Sequence, residues 1–254
     1  MGKVLLDTKF WIQMENDLDD FERLHTAVSD SEDIEVLFCF GNLVDLVKRP
    51  NQDRLAKIIT ETADTYLPPL PPDGSEYPIS KDPVDMIPDE SLRQDVRVAT
   101  QNSNEVETLK TIFRSSDWTP GSEYAESVNQ YRQVSENYDF KYLLSLAFSD
   151  YLEDGEKPGE KVLQQHKIDV IEFVKKIIYA HRIALMAPNE TIDTNDIADM
   201  AICVAAIVTE CDHVLLEKKW ANVEIIEKVT AELEREQTIT IHTELDDFVQ
   251  ALEQ

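Results

Sequence analysis

The chain has 254 residues, 42% of them hydrophobic, enough for a substantial core in one large domain or two small ones. Its 51 acidic residues against 24 basic ones give a formal charge of −27, which repels phosphate backbones at low salt and argues against broad, sequence-independent nucleic-acid binding driven by counterion release. No run approaches the roughly 18 apolar residues needed to span a bilayer, and residues 1–3 pass straight into an apolar strand, so a cytoplasmic protein with no membrane role is expected. A halophilic cytoplasm, where the Debye length falls to about 3 Å at 1 M salt, is one explanation of so acidic a surface.

Cys39, Cys203 and Cys211 form no CxxC pair, and an odd count suits neither a disulfide framework nor a zinc site, so they are expected as reduced core residues. His25, His166, His181, His213 and His242 are scattered without metal-ligand spacing and are expected to be structural or exposed.

The chain opens on Val4-Leu5-Leu6-Asp7-Thr8, a short apolar run ending in an acid and passing at once into an amphipathic segment. This pattern predicts a buried strand that delivers a carboxylate to the C-terminal edge of a parallel sheet, where open α/β folds place ligands. The plain alternative for Asp7 is a helix cap, which Asp performs well. Three- and four-residue apolar spacing predicts one helix over 10–28. Residues 34–40, β-branched and aromatic and bounded by Gly41, predict a second strand. Asn42 is expected to cap the next helix, whose apolar side runs over 43–59 with an interruption at Pro50. Asp45 lies one turn into that helix, where a carboxylate also gains from the helix dipole.

Residues 66–89 hold seven of the chain's 11 prolines, which predicts an ordered excursion or linker and no central strand. A rigid surface connection is the better reading of its PxxP character than a ligand for an SH3-type domain. Helical patterns follow over 91–114, 122–138, 140–152 and 161–186. Arg93, Arg97, Arg114 and Arg132 form either a local phosphate-contacting patch or, as the abundance of acids favours, ion pairs with surface carboxylates.

The final third opens a small-residue-rich apolar helix over 194–208, with Asp196 and Asp199 three apart on its first turn. A third strand, Val214-Leu215-Leu216, ends in Glu217; a helix over 223–237, a fourth strand over 239–241 and a helix over 244–252 complete the chain. Short apolar strands alternating with helices predict a parallel α/β sheet.

Asp7, Asp45, Asp199 and Glu217 all fall at the C-terminal edge of that sheet. Each has a private explanation as a cap or dipole partner, but four partly desolvated anions in one crevice repel one another unless a cation joins them. Hard oxygen ligands without Cys or His select Mg²⁺ or Mn²⁺ over zinc, and such ions suit phosphodiester hydrolysis.

With these motifs in order, the chain resembles the PIN domain family of nucleases: Val4-Leu5-Leu6-Asp7-Thr8 as the opening strand and first acid, Leu43-Val44-Asp45-Leu46 as the second, Asp199-Met200-Ala201-Ile202-Cys203-Val204-Ala205-Ala206 as the third, and Val214-Leu215-Leu216-Glu217-Lys218-Lys219-Trp220 as the closing strand. The resemblance implies a single three-layer αβα PIN-like domain with a small central parallel sheet, its core about 3–65 and 160–254 and a mainly helical insertion about 66–159. It implies a metal-dependent endoribonuclease acting on RNA, in which Asp7, Asp45 and Asp199 hold Mg²⁺ or Mn²⁺, Glu217 is a further or water-mediated ligand and Asp196 an extra one. Thr8 resembles the small hydroxyl residue that orients the family's first acid. Lys9 stands where the family has a small polar residue, and Glu217 where Asp is commoner. The long insertion is unlike compact VapC-type toxins.

An ammonium at Lys9 can contact the scissile phosphate, replace the cation or point away. The second of these corresponds to an inactive PIN-like binding or assembly module. A haloacid-dehalogenase-type phosphohydrolase is disfavoured because Asp7-Thr8-Lys9 lacks the DxD pair, and no Walker A loop or GxGxxG is present. A homodimer or a protein partner is left open.

Overall fold

The computed structural model describes residues 2–31, 33–47, 49, 52–69, 76–115, 140–151, 160–186, 190–217, 226–227, 229–231, 233 and 239–252. Strand β1 (Gly2–Leu6) leads into α1 (Thr8–Asn16) and α2 (Leu18–Asp30), then β2 (Ile34–Cys39), α3 (Phe40–Leu46), α4 (Asp53–Thr62) and β3 (Thr65–Leu67). A 3₁₀ turn (Pro83–Met86) precedes α5 (Glu90–Thr100), α6 (Glu105–Arg114), α7 (Phe140–Ala147), α8 (Glu160–His166), α9 (Val170–Leu185) and α10 (Thr194–Val208). Strands β4 (His213–Leu215) and β5 (Thr240–His242) and helix α11 (Leu245–Leu252) follow.

The five strands form one parallel sheet in the order β3-β2-β1-β4-β5. The chain therefore starts in the middle, moves outward to β3, and returns to the other side of β1 for β4 and β5. The direction of winding reverses at β1, and the crevice outside the carboxyl ends of the strands at such a reversal is where open α/β sheets bind ligands. Asp7 is the residue that follows β1 there.

Side-chain alternation divides the core into two clusters. Val4, Leu6, Val36, Phe38, Tyr66 and Leu215 face one way, against α1, α2, α4, α5, α6 and α11. Leu5, Leu37, Cys39, Leu67, Val214 and Leu216 face the other, against α7, α9 and α10. Helices on both faces of a parallel sheet make the three-layer αβα arrangement that the alternating elements predict. The helical insertion contributes to both layers: Val96, Leu109 and Phe113 join the first, Leu143, Leu144 and Phe148 the second.

Several boundaries differ from the sequence reading for identifiable reasons. The helix expected over 10–28 is two, because Asp17 adopts an extended conformation, closes α1 and caps α2 by accepting from the Asp19 N–H. The apolar pattern runs through this break unchanged. Phe40 belongs to α3, not to the strand. Residues 43–59 contain two helices, with the chain turning between Leu46 and Asp53. The proline-rich stretch begins within β3, which the sequence reading did not anticipate; β3 lies at the sheet edge, where Pro68 and Pro69 end it without breaking a ladder. The helix expected over 122–138 lies outside the described residues, as does most of that over 223–237.

No described helix is long and apolar enough to cross a membrane. The three cysteines are free and buried. Arg93, Arg97 and Arg114 pair with Glu90, Asp85 and Asp53, so these three arginines match the ion-pair reading. Arg132 lies outside the described residues.

Candidate functional site

Asp7 is 4% exposed, an unusual setting for a carboxylate, and backbone groups of α1 and of the end of β4 hydrogen-bond to it. Its own N–H donates to the Leu215 carbonyl at 2.8 Å, continuing the β1–β4 ladder by one residue. Its Oδ1 accepts from the Lys9 N–H at 3.2 Å, which is the cap of α1. Its Oδ2 accepts from the Glu217 N–H at 3.2 Å. The capping role is real, but it uses one carboxylate oxygen; the other ties β1 to the residue that leaves β4.

The other acids named from the sequence stand on separate elements; Asp45 and Asp199 are each the sixth residue of their helix, beyond the first turn in which the sequence reading put them, because α3 starts already at Phe40 and α10 at Thr194. Glu217 is half-buried and its backbone is joined to Asp7 directly. Asp199 and Asp45 arrive on α10 and α3, which cross so closely that a Cβ on Gly41 would lie 2.6 Å from the Ala198 carbonyl oxygen and 2.9 Å from Ile202 Cγ1. Asp199 follows Ala198, and Asp45 lies four residues beyond Gly41, one turn along the same face. Both acids are half-buried. Beneath them, burial pushes the Cys203 thiol well above its ordinary value, and the charges of Asp199 and Asp7 push it further. Burial, opposed by the Asn42 and Gly41 N–H groups, raises the Cys39 thiol to about 12, with Asp7 contributing in the same direction. Both thiols stay protonated at neutral pH, so the donors of this edge are carboxylate oxygens.

The convergence is one of backbones and carriers. Among the described residues, no three His, Cys, Asp or Glu side chains stand close enough together to close around an ion.

Asp196, expected as an extra ligand, has other work. Its Oδ1 accepts from Arg182 Nε at 3.0 Å and Nη2 at 2.6 Å, and its Oδ2 accepts from the Asp193 N–H at 3.1 Å. Asp193 in turn caps α10 through the Asn195 and Asp196 N–H groups. Thus Asp196 belongs to a capping box braced by α9.

Thr8 is 3% exposed beside Asp7. The Lys9 ammonium lies 5.4 Å from the centroid of the Phe10 ring, and it forms no ion pair with a described residue. Asn42 does cap α3, but from the third helical position and not from the N-cap: fully buried, it completes a capping box with its Oδ1 accepting from the Cys39 N–H at 3.0 Å. Its Nδ2 donates to the Leu6 carbonyl at 2.8 Å and to Thr8 Oγ1 at 3.4 Å. What the sequence did not show are the long-range partners of this amide in β1 and α1, which stand 36 and 34 residues away. Arg182, fourteen residues from Asp196, was hidden in the same way.

Comparison of the chain with models of known protein families, with curated proteins and with solved structures finds no match.

Proposed function

We propose that this chain is a PIN-type endoribonuclease that depends on Mg²⁺ or Mn²⁺ and hydrolyses RNA phosphodiester bonds at the C-terminal edge of its sheet. The observation that carries this reading is Asp7: a buried carboxylate at the reversal point of a parallel sheet, sharing its edge with acids from three further elements. Asp7, Asp45 and Asp199 would hold the ion, with Glu217 as a further or water-mediated ligand. Their all-oxygen character fits a hard divalent cation and not zinc. Asp196 is left out of this set because Arg182 and the Asp193 N–H occupy its oxygens.

When bound, the ion supplies an acidified water and neutralises charge developing on the phosphate. The protein's own part is to hold the carboxylates in place and to bring in the substrate. A chain of charge −27 meets RNA unfavourably everywhere except where a cation reverses the local sign. Lys9, one residue past Thr8 and half-buried with its ammonium over Phe10, would contact the scissile phosphate.

The test is incubation of purified protein with RNA and Mn²⁺, alongside Asp7→Asn. Metal-dependent cleavage by the wild type, lost in the variant by a factor of about 10³ or more, is expected; removal of a single electrostatic partner of a transition state costs about 10²–10³, and Asp7 is also the central ligand. No cleavage by the wild type, or equal cleavage by Asp7→Asn, overturns the reading and leaves the non-cutting PIN-like module in its place.

A further inference from the structure

We propose that His213 and His242 form a pH-sensitive clip: uptake of a second proton by the pair releases β5 and α11 from β4 while the central strands stay folded. The clip does not need the cation proposed above and uses none of its ligands.

The parallel register sets His213 opposite Thr240 and His242 opposite Leu215, so the two histidines share one face of the β4–β5 pair, two positions apart along the strands. His213 Nδ1 and His242 Nε2 are 3.0 Å apart, a hydrogen bond in which one ring donates and the other accepts. The bond survives while the pair is neutral or carries one extra proton. With both rings charged, every ring nitrogen bears hydrogen, and two N–H groups and two positive charges face each other across that distance. Little water reaches the pair to relieve this: His242 is 7% exposed, and Phe248 of α11 packs against both rings, with centroids at 5.6 Å from His213 and 5.3 Å from His242.

Charged groups face the pair from two sides. Asp212, just before β4, favours a charged His213, and Asp247, on α11, favours a charged His242. Burial outweighs each and holds both imidazoles below their ordinary value, and the charge of His213 adds to burial at His242. Asp212 is also engaged elsewhere, its Oδ2 accepting from the Lys3 N–H at 2.8 Å. Thr240 and Ile241 of β5, and Val4 of β1 opposite His213, are uncharged. What the clip holds is lightly attached. β5 has three residues at the edge of the sheet and pairs with β4 alone. α11 adds Leu245, Phe248 and Val249 to the core, and its ion pair to α2, Asp246 with Arg23, is exposed and so contributes little. A unit with so few buried contacts opens at lower cost than the strands on either side of β1. Its opening removes the His242 carbonyl from the Leu216 N–H and the Asp212 carbonyl from the Thr240 N–H, the bonds that now close the β4–β5 ladder at 2.9 and 2.8 Å.

A histidine outside the fold, with the ordinary value of about 6.5, is roughly 30-fold more often charged than neutral at pH 5. Each proton that the closed pair refuses therefore raises the opening equilibrium by about 30-fold between neutral pH and pH 5. The experiment is hydrogen-exchange mass spectrometry of the whole chain at pH 7.5 and 5.0, with labelling times scaled for the intrinsic exchange rate. It compares the wild type with His213→Gln, His242→Gln and, as a control on α2 away from the pair, His25→Gln. Each protein is measured against its own value at pH 7.5, so a constant loss of stability cancels. In the wild type, protection over residues 240–252 is expected to fall about 30-fold and to lie at least tenfold below that of β2 at pH 5. The fall shrinks to a few-fold in His213→Gln and His242→Gln, whose amides do not titrate, and is kept in His25→Gln. An undiminished fall in the two pair variants, or equal protection of 240–252 and β2 at pH 5, overturns the clip. Imidazole nitrogen shifts of the folded wild type at pH 5 test it without any variant: one charged ring in the pair is expected, and two charged rings overturn it.

Discussion

The two edges of the sheet carry the same kind of residue and use it differently. At the N-terminal edge, carboxylates finish the ladder and meet lysines. Asp212 Oδ2 accepts from the Lys3 N–H at 2.8 Å, and Asp64 Oδ2 from the Val36 N–H at 2.9 Å. Glu35 accepts from the Thr65 hydroxyl and lies 3.7 Å from Lys81 Nζ. At the C-terminal edge, Asp7 is buried where winding reverses, and its carboxylate is held by two backbone N–H groups. An acid that accepts from a strand N–H near the strand's start completes the ladder there. At the other edge the proposed ligands stand on four separate elements, and only a bound cation would give mutually repelling carboxylates a reason to meet.

The sharpest separation of the two edges comes from charge removal. Asp7→Asn is expected to abolish Mn²⁺-dependent protection against thermal unfolding, whereas Glu35→Gln is expected to lower stability by about 1 kcal/mol, the usual worth of a hydrogen bond, and to leave that protection unchanged. Scanning calorimetry with and without Mn²⁺ reads both. Equal loss of protection in the two variants would erase the distinction.

Crowding the crossing of α3 and α10 tests whether their approach matters to the C-terminal edge alone. Gly41→Ala forces a methyl against the Ala198 carbonyl, and overpacking of this kind costs about 1–3 kcal/mol. Urea unfolding should show that loss, and Mn²⁺ titration should show weaker binding, because α10 can only yield by moving Asp199. Bracing of α10 from the far side is a separate matter. Arg182→Gln leaves Asp196 without its main cationic partner in a mostly covered site, at an expected cost of about 2 kcal/mol in urea unfolding. It should alter Mn²⁺ affinity less than Gly41→Ala does.

The smallest effect concerns β5, which flanks the candidate site through the Leu216 N–H to His242 carbonyl bond of 2.9 Å. His213 Nδ1 and His242 Nε2 are 3.0 Å apart, with Phe248 packed on both rings. Burial holds the His213 imidazole below its ordinary value, opposed by Asp212. For His242, burial and the charge of His213 act downward, opposed by Asp247. Since the folded values lie below the unfolded ones, the unfolded chain binds more protons in acid. The stability this pair supports is therefore complete above the ordinary histidine value of about 6.5, and it is lost as pH falls through the folded values. Thermal unfolding at neutral and mildly acidic pH should show a steeper fall for the wild type than for His242→Gln; identical slopes would remove the pair from the account.

What the sequence revealed and what it hid follow from the range of each interaction. β1, β2 and β4 were legible because three- to six-residue apolar runs flanked by acids or glycine have few other readings, and Asp7 follows directly from the end of β1. β3 was hidden because three residues beside two prolines carry almost no pattern. The break at Asp17 was hidden because apolar periodicity continues across it. Asn42 was read in part: its cap on α3 is local and visible, while its bonds to Leu6 and Thr8 were hidden because those partners are distant in sequence. Asp196 was misread for the same reason: spacing put it on a face with Asp199, while its partner Arg182 sits on another helix.

The account stands or falls on where a divalent ion goes. A crystal grown with Mn²⁺ and measured at the manganese absorption edge should show an anomalous peak at the C-terminal edge of the sheet, bound by Asp7 and by at least two of Asp45, Asp199 and Glu217. A crystal of the same protein with no peak there, or with the Lys9 ammonium lying among those carboxylates, would contradict it.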